Sequence, residues 1–227
     1  MKTEKGQRMV TPIARASFVK VFEAKAFDET KKDSPKKFSL MLLFDKKAQE
    51  TKAYKELRRE VTRLRKKLWG EKPPKGYKNP WKKGDALKDA KDNWYLGCDE
   101  NTVAITVSSD EKYPPGIVNR NKHPITSEKD FYSGCYCIVT LVPAALDITT
   151  NKCSPFYLQN IMKIQDGEHL GGRESAEKEF EAVNWDDVGD LDDYGDLEEV
   201  EDEEDFEEGD SDDSDEFEDE DEFDDED

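Results

Sequence analysis

The chain has 227 residues, enough for one sizeable domain or two small ones, and a formal net charge of −20. Residues 1–173 hold 34 Lys and Arg against 22 Asp and Glu, whereas residues 174–227 hold one Lys against 33 acids, so the two parts carry +12 and −32. No run approaches the roughly 18 apolar residues of a membrane span and the N-terminus lacks a signal peptide's apolar segment, so we expect a cytoplasmic protein with four reduced cysteines.

Residues 16–27 read ASFVKVFEAKAF and have the alternation of an extended strand. Val19 and Val21 fall on one side of this strand, and Phe18, Lys20 and Phe22 fall on the other. Either one face is core and the other is a contact surface, or protein covers both faces, as in a small barrel. The residues alone leave this choice open.

A second strand and the main helix follow. Every second residue of 38–44 is apolar, which predicts a strand. In residues 46–69 an apolar residue recurs every three or four positions, which predicts a helix with one apolar stripe on a charged cylinder, ended by Gly70 and Pro73. The stripe comprises Ala53, Leu57, Val61, Leu64 and Leu68.

Residues 71–93 are predicted to form a loop, because three prolines and two glycines lie among lysines. Three strand segments follow, at 94–107 with a turn at Asp99–Asn101, at 131–142 and at 155–164. The inventory favours a mainly β fold, a five-stranded Greek-key barrel of the oligonucleotide-binding (OB) type with one main α-helix. The helix follows the second strand, whereas we expect an OB barrel to place it after the third. Either a strand is missed or the helix is an insertion.

The end of the chain has a different composition. Residues 174–227 contain no proline, few aliphatic residues and almost unbroken acids, so they bury too little apolar area to offset the entropy of ordering. We predict a disordered acidic tail over 174–227. Residues 1–173 hold all ten prolines and 17 of the 23 aromatic residues, which predicts a single packed domain.

Positive charge is concentrated in residues 46–83, which contain 15 Lys and Arg and four Glu. Cations neutralise phosphates and aromatic rings stack on unpaired bases, so this combination favours single-stranded nucleic acid. The alternative is an ordinary solvated helix surface. The predicted phosphate contacts are Arg58, Arg59, Arg65, Lys66, Lys67, Lys75, Lys78, Lys82 and Lys83, and the predicted stacking residues are Tyr77, Trp81, Trp94 and Tyr113.

The loop KGYKNPWKK at 75–83 is the most specific part of this segment. Tyr77 and Trp81 lie in a hydrophilic stretch where neither helical nor strand periodicity requires an aromatic side chain. This placement favours a direct contact with nucleic acid.

A flexible polyanion tethered to a basic surface competes with DNA at a local concentration on the order of millimolar. The tail is therefore predicted to weaken binding to incidental strands and, once displaced, to meet other proteins. Phe206, Phe217 and Phe223, each framed by acids, resemble docking anchors. The alternative is that they are incidental residues of a solubilising tail.

Metal binding and catalysis have little support. Cys135 and Cys137 form a C-x-C in a predicted strand and are expected to line the core beside Val139 and Leu141. There is no phosphate loop, no H-E-x-x-H and no G-x-S-x-G, and the carboxylates of 85–92 have no arrangement typical of a two-metal nuclease. We expect no enzyme, no metal and no cofactor.

Two motifs, DFYSGCY at 130–136 and LQNIMKIQDGEHLGGR at 158–173, resemble a family of single-stranded DNA-binding proteins encoded by tailed bacteriophages. The strands at 16–27 and 36–46, GDALKD at 84–89 and SSDEKYPPGIV at 108–118 agree with this family in order. The resemblance covers residues 11–173. One departure is that the chain continues four residues past Phe223, whereas related tails commonly end on an aromatic residue.

The resemblance implies an OB barrel that binds single-stranded DNA without sequence preference in phage replication, recombination or repair, in the host's cytoplasm. It implies replication or recombination proteins as partners of the tail. It transfers no list of DNA-contacting residues. The alternative function is an acidic interaction protein, a chaperone or DNA mimic whose tail acts on basic proteins. Oligomeric state stays open.

Overall fold

The computed structural model describes residues 2–26, 34–148 and 151–171, all within one compact unit. The predicted tail 174–227, with Phe206, Phe217 and Phe223, lies outside the described residues. In chain order the elements are β1 (Lys2–Lys5), β2 (Met9–Val10), β3 (Ala14–Ala26), β4 (Lys36–Phe44), α1 (Lys46–Glu50), α2 (Lys52–Trp69), β5 (Tyr77–Lys78), a 3-10 turn (Gly84–Leu87), β6 (Val103–Asp110), β7 (Gly116–Val118), β8 (Tyr136–Ile148), β9 (Asn151–Cys153) and β10 (Phe156–Gln165).

Five strands pair in a closed ring. β3 pairs with β4, β4 with β6, β6 with β10 and β10 with β8, and β8 pairs in turn with the start of β3. Every pair is antiparallel except β6 with β10, which run parallel with Val107 opposite Phe156. The short strands lie outside the ring, along β8, β9 or β10. The predicted mainly β fold is confirmed.

Alternation along the ring strands turns one row of side chains into the core. Leu40, Leu42 and Phe44 of β4 are buried there, as the sequence predicted. Cys135 and Cys137 also line the core beside Val139 and Leu141, again as predicted. Burial raises the pKa of the Cys137 thiol, which keeps that side chain neutral inside the ring.

Helix α2 packs its apolar stripe on the ring. The Thr51 hydroxyl caps its N-terminus by accepting a hydrogen bond from the Tyr54 N–H at 3.3 Å, and Gly70 ends it with a φ of 78°. Three of the five predicted stripe residues are fully buried; Ala53 and Leu68 are half-buried and Tyr54 is buried instead. The buried side chains are Tyr54, Leu57, Val61 and Leu64.

The helix lies between the second and third strands of the ring, β4 and β6. Among the described residues, the ring strands before the helix are β3 and β4, and the sequence predicted both. The helix is therefore an insertion between the second and third strands of the ring. No helix among the described residues combines the length and the apolar character that crossing a membrane requires.

The segment 71–102 packs on the outside of the ring through Leu87. That side chain is fully buried with Met41 and Leu43 of β4 and Ala104 of β6. The prediction of a strand from residue 94 is wrong, because β6 begins only at Val103. The aromatic residues before it belong to this outer loop and not to the sheet.

The motif at 130–136 is a turn packed on the loop of the second motif, so the predicted strand over 131–135 is also wrong. Gly134 has a φ of 126°, and a Cβ there would clash with the Glu168 backbone. The Leu170 N–H donates to the Ser133 carbonyl at 2.7 Å. Tyr132 donates to Asp166 at 2.9 Å, and burial together with that bond raises the pKa of Tyr132 to about 12.

Replacing Gly134 by Ala is expected to lower the free energy of unfolding by about 3 kcal/mol or more, because the added Cβ meets backbone atoms and φ is unfavourable for alanine. Urea denaturation measures the loss. Gly76→Ala is the matched control, since its φ is 82° but nothing lies within 4 Å of the added Cβ. We expect about 1 kcal/mol there. Equal losses would contradict the packing explanation.

Candidate nucleic-acid interface

Two clefts that share Arg58 lie along α2 and the segment 73–83; together they are called the basic groove below. Arg58 stands at its centre and borders both of its halves. Its lining includes polar Gln49, Thr62 and Asn79, and no carboxylate among the described residues. The cations that line it are Lys55, Arg58, Arg59, Arg65 and Lys83, and the aromatic side chains are Tyr54, Tyr77 and Trp81.

Trp81 forms the wall of the groove opposite α2. Its ring meets Tyr54 edge to face at 5.3 Å and Phe156 at 5.7 Å, both members of the main core. The Arg58 guanidinium lies over the Trp81 ring, 4.8 Å from its centroid. Neither helical nor strand periodicity predicts an aromatic residue at this position, but its contacts with the core give Trp81 a structural role. Trp81 is half-buried and holds the loop on the core.

Tyr77 is also held by the protein. Its hydroxyl is hydrogen-bonded to the Ser154 hydroxyl at 2.9 Å, and its ring meets Trp69 edge to face at 5.4 Å. Trp69 in turn donates from Nε1 to Asp147 at 3.0 Å. These contacts tie the loop to the end of α2 and to β8. They leave Tyr77 half-buried at one end of the groove.

The predicted cations of α2 fall into two groups. Arg58, Arg59 and Arg65 line the groove, and none has an ion pair with a described residue. Lys66 and Lys67 lie outside the lining and pair with Glu71 at 2.8 Å and Glu4 at 2.7 Å. Exposed pairs of this kind are worth about 0–1 kcal/mol, so a phosphate can displace them at little cost.

Arg65 adds an unsatisfied donor to the groove. Its Nε is buried and has no hydrogen-bond partner within the described part of the protein. A buried donor of this kind costs free energy until an acceptor reaches it. The guanidinium is therefore suited to an anion that enters the groove.

The four predicted lysines of the loop have different positions. Lys82 pairs its backbone with Ala104 at the edge of β6, and partial burial of its side chain lowers its pKa. Lys83 is exposed and lines the groove. Lys75 and Lys78 are exposed on the loop outside the groove lining.

The other two predicted stacking residues do not join the groove. Trp94 lies in the outer loop, with the Lys88 ammonium 5.2 Å from its ring centroid. Tyr113 is 73% exposed on the turn between β6 and β7. The structure thus brings together six of the thirteen predicted residues and leaves the others around or beyond the groove.

A second surface, which contains none of the thirteen predicted contact residues, lies on the outside of β3, β4 and β6; we call it the outer sheet face. Its ladder places Lys20 beside Ser39 and Ser39 beside Ser108. Phe18 is exposed there, with Tyr95 edge to face at 5.3 Å. The alternation in the sequence hinted at this face through Phe18 and Lys20. Phe22, predicted to share it, packs instead against the core.

A mainly β ring beside a groove of cations and aromatic rings is typical of nucleic-acid-binding proteins. A family model described as "Enterobacter phage Enc34, ssDNA-binding protein" matches residues 7–192. This is most of the chain, and the protein belongs to that family. The predicted resemblance to phage single-stranded DNA-binding proteins is confirmed.

Solved structures show the same fold. The single-stranded DNA-binding protein from bacteriophage Enc34 in complex with ssDNA aligns with a TM-score of 0.57 and 18% identity, covering 72% of this chain and 89% of that one. A C-terminal truncation of the Enc34 protein aligns with a TM-score of 0.54 and 20% identity, covering 71% and 87%. No curated protein sequence matches the chain.

Replacing Trp81 by Ala is expected to lower the free energy of unfolding by roughly 2–3 kcal/mol, because its contacts with Tyr54 and Phe156 are lost while one side is already partly exposed. Thermal or urea unfolding measures this change. Tyr113→Ala is the control and should stay within about 0.5 kcal/mol, since its ring is mostly in solvent. A Trp81 variant as stable as the Tyr113 variant would contradict the wall assignment.

Proposed function

We propose that this protein binds single-stranded DNA without sequence preference, and that the basic groove is one of its contact surfaces. The observation that carries the proposal is the groove's lining, which combines five cations with three aromatic rings and no described carboxylate. The role of the protein is to coat and protect exposed single strands of DNA, and the protein has no catalytic activity of its own.

The strand order supports an OB barrel. When the five ring strands are numbered in chain order, their order around the ring is first, second, third, fifth and fourth. The fourth strand then pairs with the first and closes the ring. The third and fifth strands are the parallel pair. A five-stranded Greek-key barrel that closes in this way is the OB architecture, which binds oligonucleotides.

The groove's chemistry suits unpaired strands. Guanidinium groups bind phosphates and release counterions whatever the sequence, because the backbone is the same at every nucleotide. Arg58 is exposed on its solvent side and packs on Trp81 with the other, so a base can stack on the guanidinium plane. Bases in a duplex are already stacked and offer no such face.

The predicted tail 174–227 completes the proposal. Its 33 acids make it an intramolecular competitor for the groove, and DNA releases it to bind other proteins through Phe206, Phe217 and Phe223. Those partners are replication or recombination proteins in the cytoplasm of a phage-infected bacterium. The alternative function, a DNA mimic that acts only through its tail, does not explain why the basic groove is lined with cations and aromatic rings.

Replacing Arg58 and Arg59 by Gln is expected to weaken binding to oligo-dT and to reduce the steepness of its salt dependence. Each lost phosphate contact lowers the slope of log K against log salt by about 0.7, so the double variant should lose about 1.4. Fluorescence anisotropy across a salt series measures both. The matched control neutralises Lys46 and Lys52, which are exposed outside the groove. Equal slopes for the two double variants would exclude the groove as the phosphate site.

Removing the tail after residue 173 is expected to tighten binding to oligo-dT, most strongly at low salt, because a polyanionic competitor is lost. The remaining chain retains every described residue and hence the whole described core. Titration against single-stranded and duplex oligonucleotides gives the preference. A truncated protein that binds neither would instead support the DNA-mimic function.

A further inference from the structure

Phe18 stands at an irregularity of β3. Ser17 pairs with Met41 and Lys20 pairs with Ser39, so three steps along β3 match two steps along β4. The extra residue makes a β-bulge, which breaks the alternation of side chains. Val19 packs against the core, while the Phe18 side chain is 48% exposed on the outer sheet face.

The backbone of Phe18 is strained. Its φ is 49°, in the left-handed region that glycine adopts freely and bulky residues avoid. Burial does not offset this strain, because the residue is exposed. Residues kept in such conformations concentrate at binding sites and active sites.

Hydrogen bonds on both sides hold the bulge in place. The Ser133 hydroxyl accepts from the Val19 N–H at 3.1 Å, and the Gly134 N–H donates to the Ala16 carbonyl at 2.8 Å. The Ser133 carbonyl accepts in turn from the Leu170 N–H. The motif at 130–136 therefore bonds to the residues on both sides of Phe18, Ala16 and Val19, and is itself bonded to Leu170 of the second motif.

The surroundings of Phe18 suit a nucleotide. The edge-to-face contact with Tyr95, at 86° between the ring planes, orients the Phe18 ring. Lys20 follows along the strand, and Ser39 and Ser108 continue its row across the sheet. An oriented ring beside a cation and hydroxyl groups offers one base a stacking face and its backbone polar contacts.

We propose that Phe18 stacks on a base of the bound single strand and that Ser133 is a positioning residue that holds the bulge presenting it. The inference rests on the proposed function but concerns the outer sheet face and not the basic groove. Stacking on Phe18 requires no particular base, because every base has a π face.

The first test is a substitution series in the full chain, read out by affinity for labelled oligo-dT and by melting temperature. Phe18→Ala should weaken binding about 5- to 100-fold, and Phe18→Trp should restore it. Phe18→Gly should lose affinity without a lower melting temperature, because glycine relieves the strain. Ile13→Ala, which truncates a side chain that is 52% exposed on the same strand's N-terminal side, is the control. Wild-type affinity of the Phe18→Ala variant overturns the proposal. So does a Phe18→Gly variant whose loss of affinity is accompanied by a lower melting temperature.

Photocrosslinking gives a direct measurement. An oligo-dT carrying 5-iododeoxyuridine should crosslink to the tryptic peptide 16–20, ASFVK, in which Phe18 is the sole aromatic residue. Salt-sensitive binding without this crosslink, together with an unaffected Phe18→Ala variant, sinks this inference and leaves the proposed function standing. A wild-type chain that binds no oligo-dT at any salt concentration overturns both.

The role of Ser133 is tested by a double-mutant cycle. Ser133→Ala should weaken binding in the wild-type background and have no further effect on affinity when Phe18 is already Ala. Ser133→Thr, which keeps the hydroxyl acceptor, should retain affinity. If Ser133→Ala weakens binding equally in both backgrounds, the residue acts through overall stability and does not position Phe18.

Discussion

The packing of α2 on the ring is the interaction from which the basic groove follows. Tyr54, Leu57, Val61 and Leu64 bury one stripe of the helix in the core. Residues three or four positions apart share a helical face, so burying this stripe leaves the arginines on the adjoining surface. Trp81 contacts the same core and thereby fixes the opposite wall. A single apolar contact surface thus sets the width of a polar site.

The regular spacing of apolar residues along the sequence predicted β4, α2 and β10, because each of these elements buries the side chains of one face. It failed at residues 94–102 and 131–135, which carry aromatic and apolar residues without forming a strand. Phe131 is fully buried without belonging to a strand, whereas Trp94 and Leu96 are exposed in a loop. An apolar residue in the sequence therefore does not by itself distinguish a strand from a buried turn or an exposed loop position.

The candidate site was predictable as far as charge is local in sequence. The excess of cations in 46–83 lies on one helix and its following loop, so Arg58, Arg59 and Lys83 were found together. Trp81 was predicted because it lies outside any helical or strand periodicity, and its ring packs partly against the core. The exposure of Phe18 depends on a bulge that no glycine signals and on Ser133, which bonds to Val19 from 114 positions away. The alternation of the sequence placed Phe18 on a possible contact surface, but no local pattern predicts the bulge or its hydrogen-bond partner.

The buried side chain of Leu87 bears on the length of single-stranded DNA that one protein molecule can cover. It anchors the middle of a loop whose first part forms a wall of the groove and whose later part places Tyr95 beside Phe18. A wholly buried anchor keeps these two stretches of loop at a constant interval. If one DNA strand contacts both stretches, the number of nucleotides that it spans between them is set by this fixed distance in the protein and does not depend on the DNA sequence.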